Sequence, residues 1–285
     1  MSVAIAFVVL SGLLQAVWNL FAKQSPHPLV FLWSFQWVAV LVFLPWALIP
    51  LGSPHSIPPD GWLLLAATAS VHGVYVILLS RTYEAGDLSQ VYPIMRGISP
   101  LLVPLVGATV LDEIVSAPAW LGIAAIVGGI AMLGDWRRGT QPDARAQAPW
   151  VTRMAVAVGL AITTYILLDK VTLHYVPAIT LNDGCNLGNL LALSWGALRS
   201  GVIRAEWTRR WQTIILGGLL APGSYLLFLA SLRLAAVAQM APMREIGTVF
   251  GTGFGVLVLK EAHGWRRVTA AGLIAVGVLA IGLWG

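Results

Sequence analysis

The sequence predicts an all-α membrane protein of ten transmembrane helices arranged as two inverted five-helix repeats. Three observations carry that expectation: a composition too poor in charge for a water-facing surface, ten separable apolar runs of membrane length, and polar motifs that recur at a near-constant offset. Of the 285 residues, 58% are hydrophobic and 10% charged, against about a quarter charged in a soluble domain. Strand alternation is absent, which argues against a barrel. A backbone in hydrocarbon must therefore close its hydrogen bonds inside helices of roughly 20 residues.

The first apolar run, residues 2–22, has no basic stretch before it and ends at Lys23, so it reads as a retained span rather than a cleaved leader. No soluble domain is expected before the first span or after the last. "SPHP" separates it from a second run at 28–50, and "PLGSPHSIPPDG" leads to a third at 61–80. "RTYEAGD" closes that one, and the fourth and fifth runs occupy 88–111 and 117–135. The Gln/Pro/Arg-rich "WRRGTQPDARAQAPW", 136–150, is the candidate linker. Beyond it lie runs at 151–169, 177–198, 211–232, 237–259 and 267–284.

The halves match at an offset of 147 to 149 residues: "QVYPIMR" meets "QMAPMR", Glu113 meets Glu261, Lys23 meets Lys170, and Gly12 meets Gly159. Five spans per half is an odd number, so the second half enters the membrane inverted. The expected units are a first repeat at 1–135 and a second at 151–285.

Sorting Lys and Arg by loop places thirteen on one side and two, Lys170 and Arg233, on the other. That asymmetry puts both termini outside the cytoplasm and the linker inside. The net charge of +5 thus follows topology and points to no nucleic acid. Seven tryptophans, Trp33, Trp37, Trp46, Trp62, Trp120, Trp136 and Trp150, lie mostly near span ends and read as interfacial anchors. The single cysteine, Cys185, excludes an internal disulfide and reads as a small packing residue.

Arg96 and Arg244 remain inside spans. Each sits about 12 Å along its helix by the 1.5 Å rise, deep enough to need a partner or a wet cavity. Two readings stay open: a guanidinium that recognises carboxylate or phosphate, or structural pairs of Arg96 with Glu261 and Arg244 with Glu113. Ser11, Gln15, Asn19 and Lys23 form a polar stripe on the first span, and Asn182, Asn186 and Asn189, with Asp183, form another on the seventh. Such amides serve as interhelical glue or line a solute path. His72 and Tyr75 share a face of the third span, and Tyr92 opens the fourth. These offer flat apolar faces with polar tips, and His72 is either packed or a proton carrier. Pro93, Pro100 and Pro104 are expected to interrupt the fourth span, and Pro242 with its following glycines to loosen the ninth.

The stretch "PLLVPLVGATVLDEIVSAPAWLGIAAIVGGIAML" and its counterpart "GTGFGVLVLKEAHGWRRVTAAGLIAVGVLAIGL" resemble the EamA-type repeats of the drug/metabolite transporter superfamily, in which a Glu closes the fourth and ninth spans. The outward termini depart from the cytoplasmic termini expected of many members. The resemblance implies a secondary transporter exporting small metabolites across the cytoplasmic (inner) membrane, with amino acids as the leading substrate class. Nucleotide sugars, phosphorylated solutes and lipid-linked sugars are the alternatives within transport. A non-transporting structural membrane subunit is the alternative from another class. The expected site is lined by Gln15, Asn19, His72, Tyr75, Tyr92, Arg96, Asn186 and Arg244. No Walker loop, GxSxG or metal-spaced His/Asp/Glu group is present in the sequence, so no enzyme activity, cofactor or metal is expected. The expected partners are a small-molecule substrate and the lipid bilayer, with function as a monomer.

Overall fold

The computed structural model describes residues 1–52, 57–85, 88–133, 149–257 and 265–284, and every regular element among them is helical. In chain order these are α1 (Ser2–Lys23), α2 (Pro28–Leu48) followed by a 3-10 turn, α3 (Pro59–Ala85), α4 (Leu88–Val110) and α5 (Ala117–Leu133). The second half contributes α6 (Pro149–Thr172), α7 (Ala178–Arg199), α8 (Ile203–Leu234), α9 (Val237–Met243), α10 (Ile246–Leu257) and α11 (Trp265–Trp284). Five of them, α1, α2, α3, α6 and α8, carry segments long and apolar enough to cross a bilayer, and α4, α5 and α11 contain shorter apolar segments. The chain is a multi-pass membrane protein.

Helix α7, 22 residues long, carries Asn182, Asp183, Asn186 and Asn189. Leu187, Leu191, Trp195 and Leu198 are exposed on one side of it, while Asn182 and Asn186 are buried on the opposite side. Its apolar face meets lipid and its amides face the protein interior. The α3–α7 crossing is close because Gly188 has no side chain: a Cβ there would collide with the Ala69 carbonyl. Gly12 of α1 backs onto Gly247 of α10, where a Cβ would come within 2.9 Å of the Gly247 nitrogen. Gly159 of α6 meets Met95 and Ile98 of α4 in the same way.

Three helix ends are capped from across the bundle. Lys170 Nζ, near the end of α6, donates to the carbonyls of Leu232 and Ala235 at 2.6 and 2.9 Å, where α8 ends. Arg233, near the end of α8, donates to the Leu173 carbonyl just past α6 at 3.3 Å. Each helix thus meets the other's negative end with a cation. Asp112 takes a left-handed conformation (φ 52°) after α4, and the Glu113 N–H returns to the Gly107 carbonyl at 3.0 Å. This turn aims the Glu113 carboxylate at the start of α9, where it accepts the N–H groups of Val237 and Ala238, both at 2.8 Å.

Several expectations need correction. Pro93, Pro100 and Pro104 do not interrupt α4, which runs unbroken through all three. Each proline removes one backbone N–H, yet the helical run continues past it. The ninth span is instead two helices, α9 and α10, parted at Arg244 and Glu245. The eighth begins earlier than expected, at Ile203, and kinks at Arg210 (φ −132°, ψ 18°). There the Arg210 guanidinium reaches the Gln24 carbonyl, and Glu206, which accepts from Ser25 Oγ at 2.6 Å, lies 3.8 Å from Arg210 Nε. Glu113 holds α9 rather than Arg244, because two backbone donors at a helix start already occupy both its oxygens. Trp33 is buried and donates to Ser194 at 3.0 Å, so it is a packing residue, whereas Trp37, Trp46, Trp62 and Trp150 are exposed. Trp136 and Glu261 lie outside the described residues, and so does the expected Arg96–Glu261 pair.

Candidate functional site

Helical spacing gathers polar side chains from several helices onto one interior region. Thr68, His72 and Tyr75 stack at intervals of four and three on α3; Tyr165 and Asp169 lie four apart on α6, and Tyr225 and Phe228 three apart on α8. Asp169 is the hub. It is fully buried, accepts a 2.5 Å hydrogen bond from Thr68 Oγ1 on one oxygen, and accepts the Tyr225 hydroxyl on the other. His72 Nε2 lies 3.3 Å from that second oxygen and 3.4 Å from the Tyr225 hydroxyl.

Aromatic rings enclose this group. Tyr165 stacks at 4.1 Å on the His72 ring and meets Tyr75 edge-on at 5.4 Å. Arg244, at the break between α9 and α10, extends over Tyr225 and Phe228 with Cζ 5.0 and 4.4 Å from the ring centroids. Those π-faces stabilise a guanidinium removed from water. Its neighbour Glu245 forms an ion pair of 3.0 Å with Arg96 of α4, and Thr248 Oγ1 donates to its other oxygen at 3.0 Å. A connected polar assembly therefore runs from Thr68 through Asp169, Tyr225 and Arg244 to Glu245 and Arg96.

Its depth follows from the helix rise. Tyr225 lies about 14 Å from the end of α8, Arg244 about 10 Å from the start of α9, and His72 about 20 Å from the start of α3. Asp169 is three residues from the end of α6, whereas these positions, against a hydrocarbon core of about 30 Å, lie well inside their helices. Charged groups are expensive there unless they are paired or bind something, so the assembly is the candidate functional site.

Folding also brings Cys185 of α7 near Asp169 and His72, their ligand-type atoms all within 4.8 Å of one another. No sequence spacing could have shown that group, since its members come from three helices. Both Asp169 oxygens accept hydrogen bonds, from Thr68 and Tyr225.

Of the residues expected at the site, His72, Tyr75, Arg96 and Arg244 join the assembly. Gln15 and Asn186 are buried, and Gln15 Oε1 and Asn186 Nδ2 have no hydrogen-bond partner among the described residues. Both polar atoms of Asn182, Asp183 Oδ1 and Asn189 Oδ1 are in the same condition. Asn19 is half-buried, and the side chain of Tyr92 lies outside the described residues. Sequence reasoning missed Asp169, Tyr165, Tyr225 and Glu245. Asp169 is concealed beside Lys170 at the end of an apolar run, yet its spacing of four from Tyr165 marks a polar face. Glu245 directly follows an arginine already singled out.

Residues 150–283 match the EamA-like transporter family. The chain carries an EamA-like transporter domain. Shorter segments resemble curated proteins. An uncharacterized transporter in the cobO 3' region of a Sinorhizobium species is 31% identical over 80 residues, 28% of this chain and 56% of that protein. A probable 4-amino-4-deoxy-L-arabinose-phosphoundecaprenol flippase subunit, ArnE, of Pseudomonas syringae pv. syringae is 37% identical over 73 residues, 26% of this chain and 63% of that protein. The chain thus spans less than two thirds of the length of either relative. A solved crystal structure superposes with a TM-score of 0.73 at 16% identity, over 97% of this chain and 94% of the other, which shows a shared fold. The broken helix α9–α10, with Arg244 and Glu245 at its break, lies inside the EamA-like segment.

Proposed function

We propose that the protein is a secondary transporter that exports small zwitterionic metabolites, amino acids first among them, across the cytoplasmic membrane by alternating access. The observation that carries this reading is the gathering of both charge signs beside one buried aromatic group: the Arg96–Glu245 ion pair, Arg244 over the Tyr225 ring, and Asp169, which accepts the Tyr225 hydroxyl, with Tyr165 against Tyr75 and Tyr225. Guanidinium groups suit a carboxylate and carboxylates suit an ammonium, while aromatic faces accept an apolar side chain.

Two five-helix repeats, 1–135 and 151–285, joined by 136–150 and inverted relative to one another, are part of the proposal. Its support lies in how the helices cross. Gly12 of α1 meets Ile246 of α10, and its counterpart Gly159 of α6 meets Ile98 of α4, so both partners of the first contact shift by about half the chain to give the second. The termini are proposed to face the periplasm.

A second reading is favoured by the ArnE likeness: flipping of a lipid-linked amino sugar, whose ammonium and phosphate present the same pair of charges. Purified protein in liposomes distinguishes them. Saturable counterflow of an amino acid without ATP supports the first reading; no amino-acid exchange, with transbilayer movement of a polyprenyl-phosphate amino sugar, transfers support to the second. Movement of neither solute by folded protein points to a non-transporting membrane subunit.

A further inference from the structure

We propose that Asp169 and His72 together hold the proton that is exchanged for solute, making the buried assembly the coupling site of an antiporter. The inference rests on the transport reading above and names its coupling group. Asp169 is fully buried, and Thr68 and Tyr225 bring it neutral donors. The nearby cations are otherwise engaged: Arg244 lies over the Tyr225 and Phe228 rings, Arg96 is held by Glu245, and Lys170, the next residue in sequence, turns to the carbonyls ending α8. From α3 the charge-changing group that faces Asp169 is His72; from α7 it is the Cys185 thiol; from α6 itself it is Tyr165, stacked on the imidazole. Among these, His72 is the group whose ring nitrogen lies 3.3 Å from the carboxylate, close enough to share a proton with it.

A proton on the pair makes it neutral overall, as a carboxylate and imidazolium bridged at 3.3 Å. Loss of that proton leaves a carboxylate beside a neutral imidazole, one uncompensated negative charge in a low-dielectric site. The ammonium of an arriving solute replaces the missing positive charge. Proton and solute thus compete for one carboxylate. A proton enters from outside as the solute leaves, and it is released to the cytoplasm when the next solute binds, one proton inward for each solute outward. No bond forms or breaks other than that to the proton.

Infrared difference spectra of the full chain in detergent, recorded across pH, test the site without any solute. A titrating carboxyl–imidazole feature is expected in the wild type, lost in Asp169→Asn and moved in pH by His72→Gln; spectra unchanged by both substitutions overturn the proposal. Proteoliposomes loaded with labelled phenylalanine test the coupling. Efflux should rise several-fold under an acid-outside gradient in the wild type, and that ratio should fall to unity in Asp169→Asn. Equal stimulation in the variant overturns the assignment. Absence of phenylalanine exchange in the wild type counts against the amino-acid reading, and the infrared result then decides the proton site by itself.

Discussion

Arg96 of α4 and Glu245, at the break between α9 and α10, form an ion pair of 3.0 Å in the interior of the bundle. Arg96 ends the first of the two matching motifs, "QVYPIMR", and Glu245 directly follows the second, "QMAPMR". The contact ties an unbroken helix of one half to the broken helix of the other. It fixes the position of Arg244 as well, since that guanidinium is the adjacent residue at the same break.

Removing one partner of this pair should be worse than removing both. Arg96→Met alone leaves the buried Glu245 carboxylate without its cation, and Glu245→Leu alone leaves the reverse; each should destabilise by about 3 to 5 kcal/mol. The double substitution should be markedly less than additive. Thermal unfolding in detergent across the four proteins measures the coupling, and additive losses would show that the pair contributes nothing as a pair.

Glu113 replaces the local cap that α9 lacks, because Ala236 at the preceding position has no side-chain oxygen to offer. Glu113→Ala should therefore cost about 1 to 2 kcal/mol, and Glu113→Gln less, since the amide keeps one acceptor oxygen. Unchanged melting of Glu113→Ala would refute the capping role.

That the chain is a multi-pass bundle of apolar helices was legible because hydrocarbon imposes a length and an apolar composition that survive in the bare sequence. The broken helix was not. Pro242 looks the same in sequence as Pro93, Pro100 and Pro104, yet those three leave α4 continuous, so proline alone does not break a span. What distinguishes the ninth is that both residues at its break have distant partners: Glu245 on α4 and Arg244 on the α8 rings. Asp169 was hidden for a related reason. Lys170 turns to the carbonyls of α8 and in sequence marks a span end, while Asp169, one residue earlier, points inward to Thr68 and Tyr225. His72 and Tyr75 were recognisable because their spacing of three places them on one helix face whatever the tertiary fold.

Gly188→Ala tests the α3–α7 contact. Its new methyl group would meet the Ala69 carbonyl, a backbone atom that cannot swing aside, so the helices must separate. A loss of about 1 to 3 kcal/mol is expected in detergent unfolding. Gly223, where nothing lies within 4 Å of a Cβ, is the control: Gly223→Ala should melt at or above the wild-type temperature.

The amides on the interior side of α7 supply the most direct check on alternating access. Asn182, Asn186 and Asn189 place polar atoms in the interior without hydrogen-bond partners among the described residues, and Gln15 of α1 does the same. Leaving such groups dry is costly, roughly 1 to 3 kcal/mol each, so the proposed alternating access predicts that water or solute reaches them in at least one of its states. Leu191, on the same helix, faces lipid and offers a control at similar depth. In a Cys185→Ser background, Asn182→Cys and Asn186→Cys should react with a charged, membrane-impermeant thiol reagent, and an added transported solute should slow the reaction. Leu191→Cys should remain unreactive, because a charged reagent does not enter hydrocarbon. Reaction at Leu191→Cys with none at Asn186→Cys would reverse the orientation of α7. Reaction at none of the three would leave the amides as interhelical glue and remove the aqueous path that transport requires.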